Sequence, residues 1–203
     1  PHTLVDKAYA QSLITAGIRF YMTDNQCYDV SGCSLTQITI PDSPAIVYSK
    51  SGLVSNSLFG CWAAPETGTP TTLFLGEYNW NVFLNYTGVP NKNTRVYWQL
   101  VDHDADGSET IVATSSYTEF LTTTPTRYRI PLYLANDYKP KSTSRILGRL
   151  RVYSNTGTTT IETRIMGIYN SHWAIPTNVE ILSTLFQEKG NYVSLDDTPY
   201  FTV

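Results

Sequence analysis

The chain has 203 residues, with 14 Lys or Arg against 17 Asp or Glu, so its formal net charge is −3. Hydrophobic residues make up 41% and charged residues only 15%, which excludes a disordered tail, and the slightly acidic balance excludes nucleic-acid binding through a basic surface. No stretch approaches the roughly 20 apolar residues of a membrane-spanning helix, so we expect no membrane insertion.

The first 17 residues are predicted to form an N-terminal arm or a short helix. Leu4, Ala8 and Leu13 fall near helical spacing, and Gly17 would end the helix. An extended arm fits the pattern almost as well. No basic region followed by an apolar run is present, so we expect no signal peptide.

From residue 18 the hydrophobic pattern has a period of two, which predicts β-strands. A half-buried strand is predicted over 78–86, where Trp80 and other apolar residues alternate with asparagines. Asp106-Gly107 predicts a hairpin, and Pro131 predicts an edge position or a bulge. Further strands are predicted over residues 94–102, 109–115, 126–134, 145–153 and 158–168.

The turn Asn155-Thr156-Gly157 predicts that strands 145–153 and 158–168 pair with each other. Glu162 could then form a surface ion pair with Arg149 or Arg151.

Strands spaced about ten residues apart and separated by Gly, Pro, Asn and Asp predict an all-β fold, an antiparallel β-sandwich. A jelly-roll-like arrangement is favoured over an immunoglobulin one because the Cys–Trp–Cys spacing is missing. Pro176-Thr177-Asn178 then precedes a predicted helix that ends at Gly190. The predicted units are the arm or short helix (1–17), the sandwich (18–175) and the C-terminal helix and tail (176–203).

The three cysteines are expected to be buried or semi-buried thiols, although Cys27 and Cys33 enclose a loop short enough to close as a disulfide. Cys61 lies further along the chain. No C-x-x-C pair is present and the nearest histidines are isolated, so no zinc site is expected.

Three carboxylates and a glycine (Asp102, Asp104, Asp106 and Gly107) match the first half of a calcium-binding EF-hand loop. The twelfth position is Ala113 instead of the required Glu, and the flanking segments are strands. We therefore expect a solvated turn and keep these residues only as weak metal candidates.

No catalytic motif is recognisable in the sequence. The three histidines lie far apart, and Glu66, Glu77 and Asp102 form no pair that spacing supports. Phosphate-binding glycine loops are also missing. The prediction is a protein that is not an enzyme and needs no cofactor.

Aromatic side chains are the stronger binding candidates, because Tyr and Trp stack on sugar rings and fill protein interfaces. The weak ligand-binding candidates are Trp62, Tyr97, Tyr133, Tyr138 and Trp173. Apolar residues near the termini are expected to dock on the sandwich or on a neighbouring subunit. The interface candidates are Leu4, Leu13, Ile181, Leu185 and Phe186.

Four segments carry a family resemblance: 19–24 (RFYMTD), the hairpin that opens with 95–100 (RVYWQL), 122–126 (TTTPT) and 149–153 (RLRVY). Over residues 18–168 the chain resembles all-β virion structural proteins of tailed bacteriophages.

The resemblance implies a non-enzymatic tail, baseplate, fibre or capsid-decoration component, located in the virion and bound to other virion proteins. The segments outside the sandwich depart from the family pattern and would be attachment devices. The expected state is a homo-oligomer, with a trimer as our guess. The alternative is a carbohydrate-binding module or adhesin that recognises host-surface glycans.

Overall fold

The computed structural model describes residues 18–41, 43–65, 72–87, 93–154 and 158–176, and these form eleven strands. Among these residues, no helix is long and apolar enough to cross a membrane. The strands are β1 (Ile18–Gln26), β2 (Ser34–Gln37), β3 (Ile46–Leu53), β4 (Leu58–Ala63), β5 (Gly76–Thr87), β6 (Arg95–His103), β7 (Glu109–Thr114), β8 (Thr126–Leu134), β9 (Arg145–Tyr153), β10 (Thr159–Ile165) and β11 (His172–Ile175).

Eight of these strands form two antiparallel sheets. The first sheet has the order β3-β10-β5-β8 and the second the order β4-β9-β6-β7. Consecutive strands alternate between the sheets except for the β6–β7 hairpin, which is the connectivity of a jelly roll. The predicted fold class, an all-β sandwich of jelly-roll type, is confirmed.

The other three strands join the two sheets along one side. A 3₁₀ turn at Gly167–Tyr169 separates β10 from β11, and both pair with β5. Next to β11 comes β1, then β2, which pairs with β4 in the parallel direction. All eleven strands therefore belong to one hydrogen-bonded sheet that folds over on itself, with β8 branching from the path at β5.

The inner faces of the two sheets meet around four buried tryptophans: Trp62, Trp80, Trp98 and Trp173. The Trp80 ring makes edge-to-face contacts with Trp62 and Trp98, at centroid distances of 5.8 and 5.3 Å. Opposite Trp80, Gly148 of the second sheet leaves the space that the ring fills, since a Cβ there would lie 2.9 Å from the indole. The core is therefore largely aromatic and is shared by both sheets.

The predicted pairing of strands 145–153 and 158–168 is wrong. Their counterparts, β9 and β10, lie in opposite sheets, because a jelly roll sends consecutive strands to different sheets. Glu162 therefore pairs with neither predicted arginine and accepts a hydrogen bond from Asn85 at 3.1 Å. Arg149 instead donates to Glu109.

The other strand predictions agree with the structure to within a few residues. The β6–β7 hairpin forms at Asp106-Gly107, and β8 pairs only with β5 among the described strands, as Pro131 predicts for an edge strand. The predicted arm or helix over 1–17 and the predicted helix and tail beyond Pro176 lie outside the described residues, so their assignment stays a prediction.

The cysteine prediction is also corrected, because a disulfide joins Cys33 to Cys61 while Cys27 is a buried free thiol. Cys61 of β4 faces away from the main core, and the loop that contains Cys33 folds over this outer face. A second, smaller apolar cluster forms beneath the loop. It contains Cys27, Val30, Cys33, Cys61, Ala63, Val101 and Leu147.

Candidate functional site

The predicted ligand-binding aromatics lie in different environments. Trp62 and Trp173 are 1% and 0% exposed, so the prediction that they offer a binding surface is wrong. Both lie on the inward side of their strands, and alternation alone could not show which side that was. Tyr97 is buried to 8% exposure and Tyr138 is half-buried, whereas Tyr133 is 68% exposed.

A cluster of aromatic and arginine side chains covers one end of the outer face of the second sheet. We call Arg95, Tyr97, Tyr117, Phe120 and Tyr153 the tyrosine–arginine patch. The Tyr117 ring lies 5.3 Å from Tyr97 and 4.9 Å from Tyr153, and the Arg95 guanidinium lies 4.0 Å above the Phe120 ring. Tyr117 and Phe120, both from the β7–β8 connection, are 49% and 45% exposed.

Polar contacts hold the buried part of this patch in place. The Tyr97 hydroxyl donates to Asn56 Oδ1 at 3.2 Å, and Arg151 donates to the Asn56 carbonyl at 2.8 Å. Burial raises the pKa of Tyr97, so its hydroxyl stays protonated near neutral pH. Rigid Tyr rings with Arg are the combination that is enriched at the energetic centres of protein interfaces.

At the other end of the same face, charged groups are paired. Glu109 accepts hydrogen bonds from both terminal nitrogens of Arg149 and lies 2.9 Å from His103 Nδ1. The hydrogen bonds from Arg149 lower the pKa of Glu109 to about 2. Arg145 is likewise paired with Asp29 beside the loop that carries Cys27.

The carboxylates of the partial EF-hand match, kept as weak metal candidates, accept hydrogen bonds from the protein itself. Asp104 accepts hydrogen bonds from Lys141 and from the Thr143 hydroxyl, which lower its pKa to about 2. Asp106 accepts from the Ser108 amide and Asp102 from the Tyr138 hydroxyl, both at 2.7 Å. The described residues contain no group of three His, Cys, Asp or Glu that could hold a metal ion.

The outer face of the first sheet carries the second candidate surface, which we call the amide–arginine ladder: Glu77, Asn79, Asn81, Arg127 and Arg129. Arg129 donates to Glu77 and, at 2.7 Å, to Asn79 Oδ1, while Arg127 donates to Asn81 Oδ1 at 3.3 Å. Sequence reasoning missed the ladder. The sequence pattern that could have indicated it is Asn at alternate positions of β5 together with Arg at alternate positions of β8.

Tyr133 lies at one end of the ladder, where its hydroxyl donates to Glu77. This hydrogen bond is the largest cause of the lowered pKa of Glu77. Glu77 was considered as half of a glycosidase pair, but the structure engages it with Tyr133 and Arg129.

The two histidines of the described chain lie on different faces. His103 contacts Glu109, and His172 Nδ1 lies 2.7 Å from the Asn170 carbonyl. Among the described residues, no serine hydroxyl is hydrogen-bonded to either ring. The predicted interface residues Leu4, Leu13, Ile181, Leu185 and Phe186 lie outside the described residues.

No family model and no curated protein matches the chain. Its fold is shared with part of a hydrolase. Two crystal structures of a CocE/NonD family hydrolase from Staphylococcus aureus match with TM-scores of 0.58 and 0.53 at 13% and 12% identity. The match covers 79% of this chain and 36% of the hydrolase, so the chain spans about a third of that protein.

The prediction that the chain is not an enzyme is contradicted by this match, because a hydrolase contains the same fold. The exclusion rested on missing motifs, and a catalytic set that only the fold assembles leaves no motif. At 13% identity the likeness shows the fold alone.

Viral coat proteins also match, far more weakly. The VP2 protein of infectious bursal disease virus has a TM-score of 0.29 at 10% identity, over 84% of this chain and 51% of VP2. This similarity is too low to carry an argument. None of the matches named here is a bacteriophage or tail protein, and none is an adhesin.

Proposed function

We propose that the chain is a structural protein of a virus particle and that copies of it associate through the tyrosine–arginine patch. The jelly roll is an architecture of viral capsid proteins, although it also occurs in lectins and other proteins. The fold is therefore compatible with this function, and the tyrosine–arginine patch supports it.

The observation that carries the proposal is the exposed part of the patch. Tyr117 and Phe120 project from a connection whose neighbours Tyr97 and Arg95 are already held in place. Ordered aromatic rings lose little conformational freedom when a partner covers them, so their burial contributes efficiently to association. A two-fold contact would place the patch of one copy against the patch of the next.

Measuring the molar mass of the full chain in solution tests the proposal. Size-exclusion chromatography with light scattering should show concentration-dependent oligomers of the full chain. The double substitution Tyr117→Ala/Phe120→Ala should shift them to monomers, while Tyr133→Ala on the other sheet leaves them unchanged. Wild-type protein that stays monomeric at every concentration, or oligomers that survive the double substitution, would contradict the proposal.

The segments outside the sandwich are proposed to extend this association, as their apolar residues suggest. Deleting residues 1–17 or 176–203 should then weaken the oligomer while circular dichroism of the sandwich is unchanged. Loss of the folded spectrum would instead make the deleted segment part of the core. Detection of the chain in purified virus particles by mass spectrometry tests the location in the virion.

A further inference from the structure

A second surface, on the outer face of the first sheet and of the adjoining strands β11 and β1, carries more positive than negative charge among its described residues. Four arginines lie on this face: Arg19, Arg127, Arg129 and Arg164. Its two glutamates are already engaged, Glu77 by Arg129 and Tyr133, and Glu162 by Asn85. On a chain whose net charge is −3, this face is therefore locally positive.

Three of these arginines, Arg19, Arg127 and Arg164, have no acidic partner among the described residues, and Arg164 lies over the Tyr169 ring at 5.4 Å. Arg19 is exposed and makes no hydrogen bond or ion pair with any described residue. Arg127 is also exposed and, among the described residues, donates only to the neutral Asn81 amide at 3.3 Å. A guanidinium on an ordered strand with unused donors matches the two oxygens of a carboxylate.

Neutral polar and aromatic groups lie diagonally between Arg19, which is opposite Ala174 in the strand register, and Arg127, which is opposite Phe83. In adjacent strands, Tyr21 lies beside His172, and His172 lies beside Asn81. The Tyr21 and His172 ring centroids are 5.2 Å apart, and Asn81 Nδ2 lies 3.5 Å from His172 Nε2. Tyr21, His172, Asn81 and the two flanking arginines, Arg19 and Arg127, form what we call the arginine trough.

Electrostatics support the same arrangement. Burial lowers the pKa of His172, and the positive charges of Arg19 and Arg127 lower it further, so both arginines lie close enough to act on this ring. The imidazole is therefore neutral near pH 7. It can hold Asn81 in place without adding a charge of its own.

The backbone beneath the trough excludes one class of partner. β1 lies between β2 and β11, and β11 lies between β1 and β5, so these strands present no free edge. An extended peptide could not add a strand here, and recognition must use side chains. Neighbouring strands place such side chains about 4.8 Å apart, close to the width of a pyranose ring.

An aromatic shelf borders the trough on the side of Arg127. Phe83, the register partner of Arg127, packs edge-to-face on Tyr169 with centroids 5.2 Å apart. Aromatic rings next to amides and arginines provide a stacking surface, hydrogen bonds for hydroxyl groups and a carboxylate contact. From this combination the geometry points to binding of an acidic saccharide, a glycan that carries a sialic or uronic acid, in the arginine trough.

This binding site does not depend on the proposed association of copies, because the two surfaces lie on different sheets. Isothermal titration of the full chain with 3′-sialyllactose and trigalacturonate should detect binding of at least one acidic sugar. Lactose, which lacks the carboxylate, should bind at least tenfold more weakly, and acetate at the same ionic strength should not compete.

Variants decide which residues are responsible. Arg19→Ala and Arg127→Ala should each weaken binding about tenfold, and Arg127→Lys should not restore it because the paired donors are lost. Lys139→Ala, which removes an exposed cation elsewhere, is the matched control. Thermal unfolding of all variants should match that of the wild type, since the substituted side chains are exposed.

Three results would each overturn the site: no binding of either acidic sugar, equal binding of lactose, or affinity that is unchanged by both arginine substitutions. Equal competition by acetate would show a simple anion site instead of a saccharide site. If sugar binding is not found but the oligomers are, the proposed association of copies still holds. If the oligomers are not found but sugar binding is, the saccharide site still holds.

Discussion

The arginines on the outer faces of the two sheets differ in how fully they are engaged by other groups of the protein. On the second sheet, Arg145 is paired with Asp29 and Arg149 with Glu109. The other two arginines of this face are also engaged: Arg151 donates to Gln99 and to the Asn56 carbonyl, and Arg95 lies over the Phe120 ring. On the first sheet, Arg129 is paired with Glu77, whereas Arg127 and Arg164, and Arg19 of the adjoining strand β1, have no carboxylate partner among the described residues. The arginines of the second sheet are therefore held by contacts within the protein, whereas the exposed Arg19 and Arg127 remain available to a partner.

The burial of the strands explains part of this difference. In β8 of the first sheet, exposed and buried residues alternate from Arg127 onwards, so the residues on the outer face of this strand are exposed. In β4 and the first half of β9, consecutive residues are buried, so the second sheet has apolar groups on both faces. The loop that contains Cys33 covers the outer apolar face, and Asp29 of this loop forms the ion pair with Arg145.

Both faces rest on one aromatic core, so the largest expected effect comes from that core. Trp98→Ala removes a buried indole that contacts Trp80 and donates to the Ile130 carbonyl. It should lower the free energy of unfolding by about 3–5 kcal/mol, or prevent folding, as measured in urea. A loss below about 1 kcal/mol would show that the two sheets do not depend on a common core.

The disulfide loop should stabilise the second sheet by a smaller amount. Breaking the Cys33–Cys61 bond, which joins residues 28 apart, should lower the free energy of unfolding by about 2–4 kcal/mol. Adding a reductant should therefore lower the Tm of the wild type but not that of Cys33→Ser. Cys27→Ser, which leaves the bond intact, is the control. Equal Tm with and without reductant would contradict the pairing.

The Glu109–Arg149 pair should make stability depend on pH. The pKa of Glu109 is lowered to about 2 from 4.5, so in this range the unfolded chain binds more protons than the folded one. Its stabilising contribution, about 1 kcal/mol for a partly exposed pair, is present above pH 4.5 and lost as pH falls towards 2. Glu109→Gln should be less stable than the wild type at pH 7 and equal to it near pH 2. A difference that is constant with pH would contradict the pairing.

The smallest effect is expected on the exposed first sheet. Tyr133→Ala should leave the urea midpoint of unfolding essentially unchanged, because the side chain is 68% exposed. It should nevertheless raise the pKa of Glu77, since the Tyr133 hydrogen bond is the largest cause lowering it. NMR titration of the Glu77 carboxyl measures this shift, and an unchanged pKa would show that the hydrogen bond is absent in solution.

The sequence indicated only some of the residues that form each candidate surface. Tyr97 and Tyr133 were selected as binding aromatics because of their residue type, and the structure places the first inside the tyrosine–arginine patch and the second at the end of the ladder. Tyr117 and Phe120 were missed because they lie in a connection without periodicity. The arginine trough was missed because Arg19 and Arg127 come from strands 108 positions apart (127 − 19).

The sequence by itself determined the all-β class, the position of most strands, the β6–β7 hairpin and the edge position of β8. These features follow from local patterns of alternation, turn residues and proline. Only the tertiary structure decided that β9 and β10 separate into different sheets, that Trp62 and Trp173 face inward, and that Cys33 bonds to Cys61. These features depend on contacts between segments far apart in sequence, where the burial of apolar area on both sheets outweighs a local turn preference.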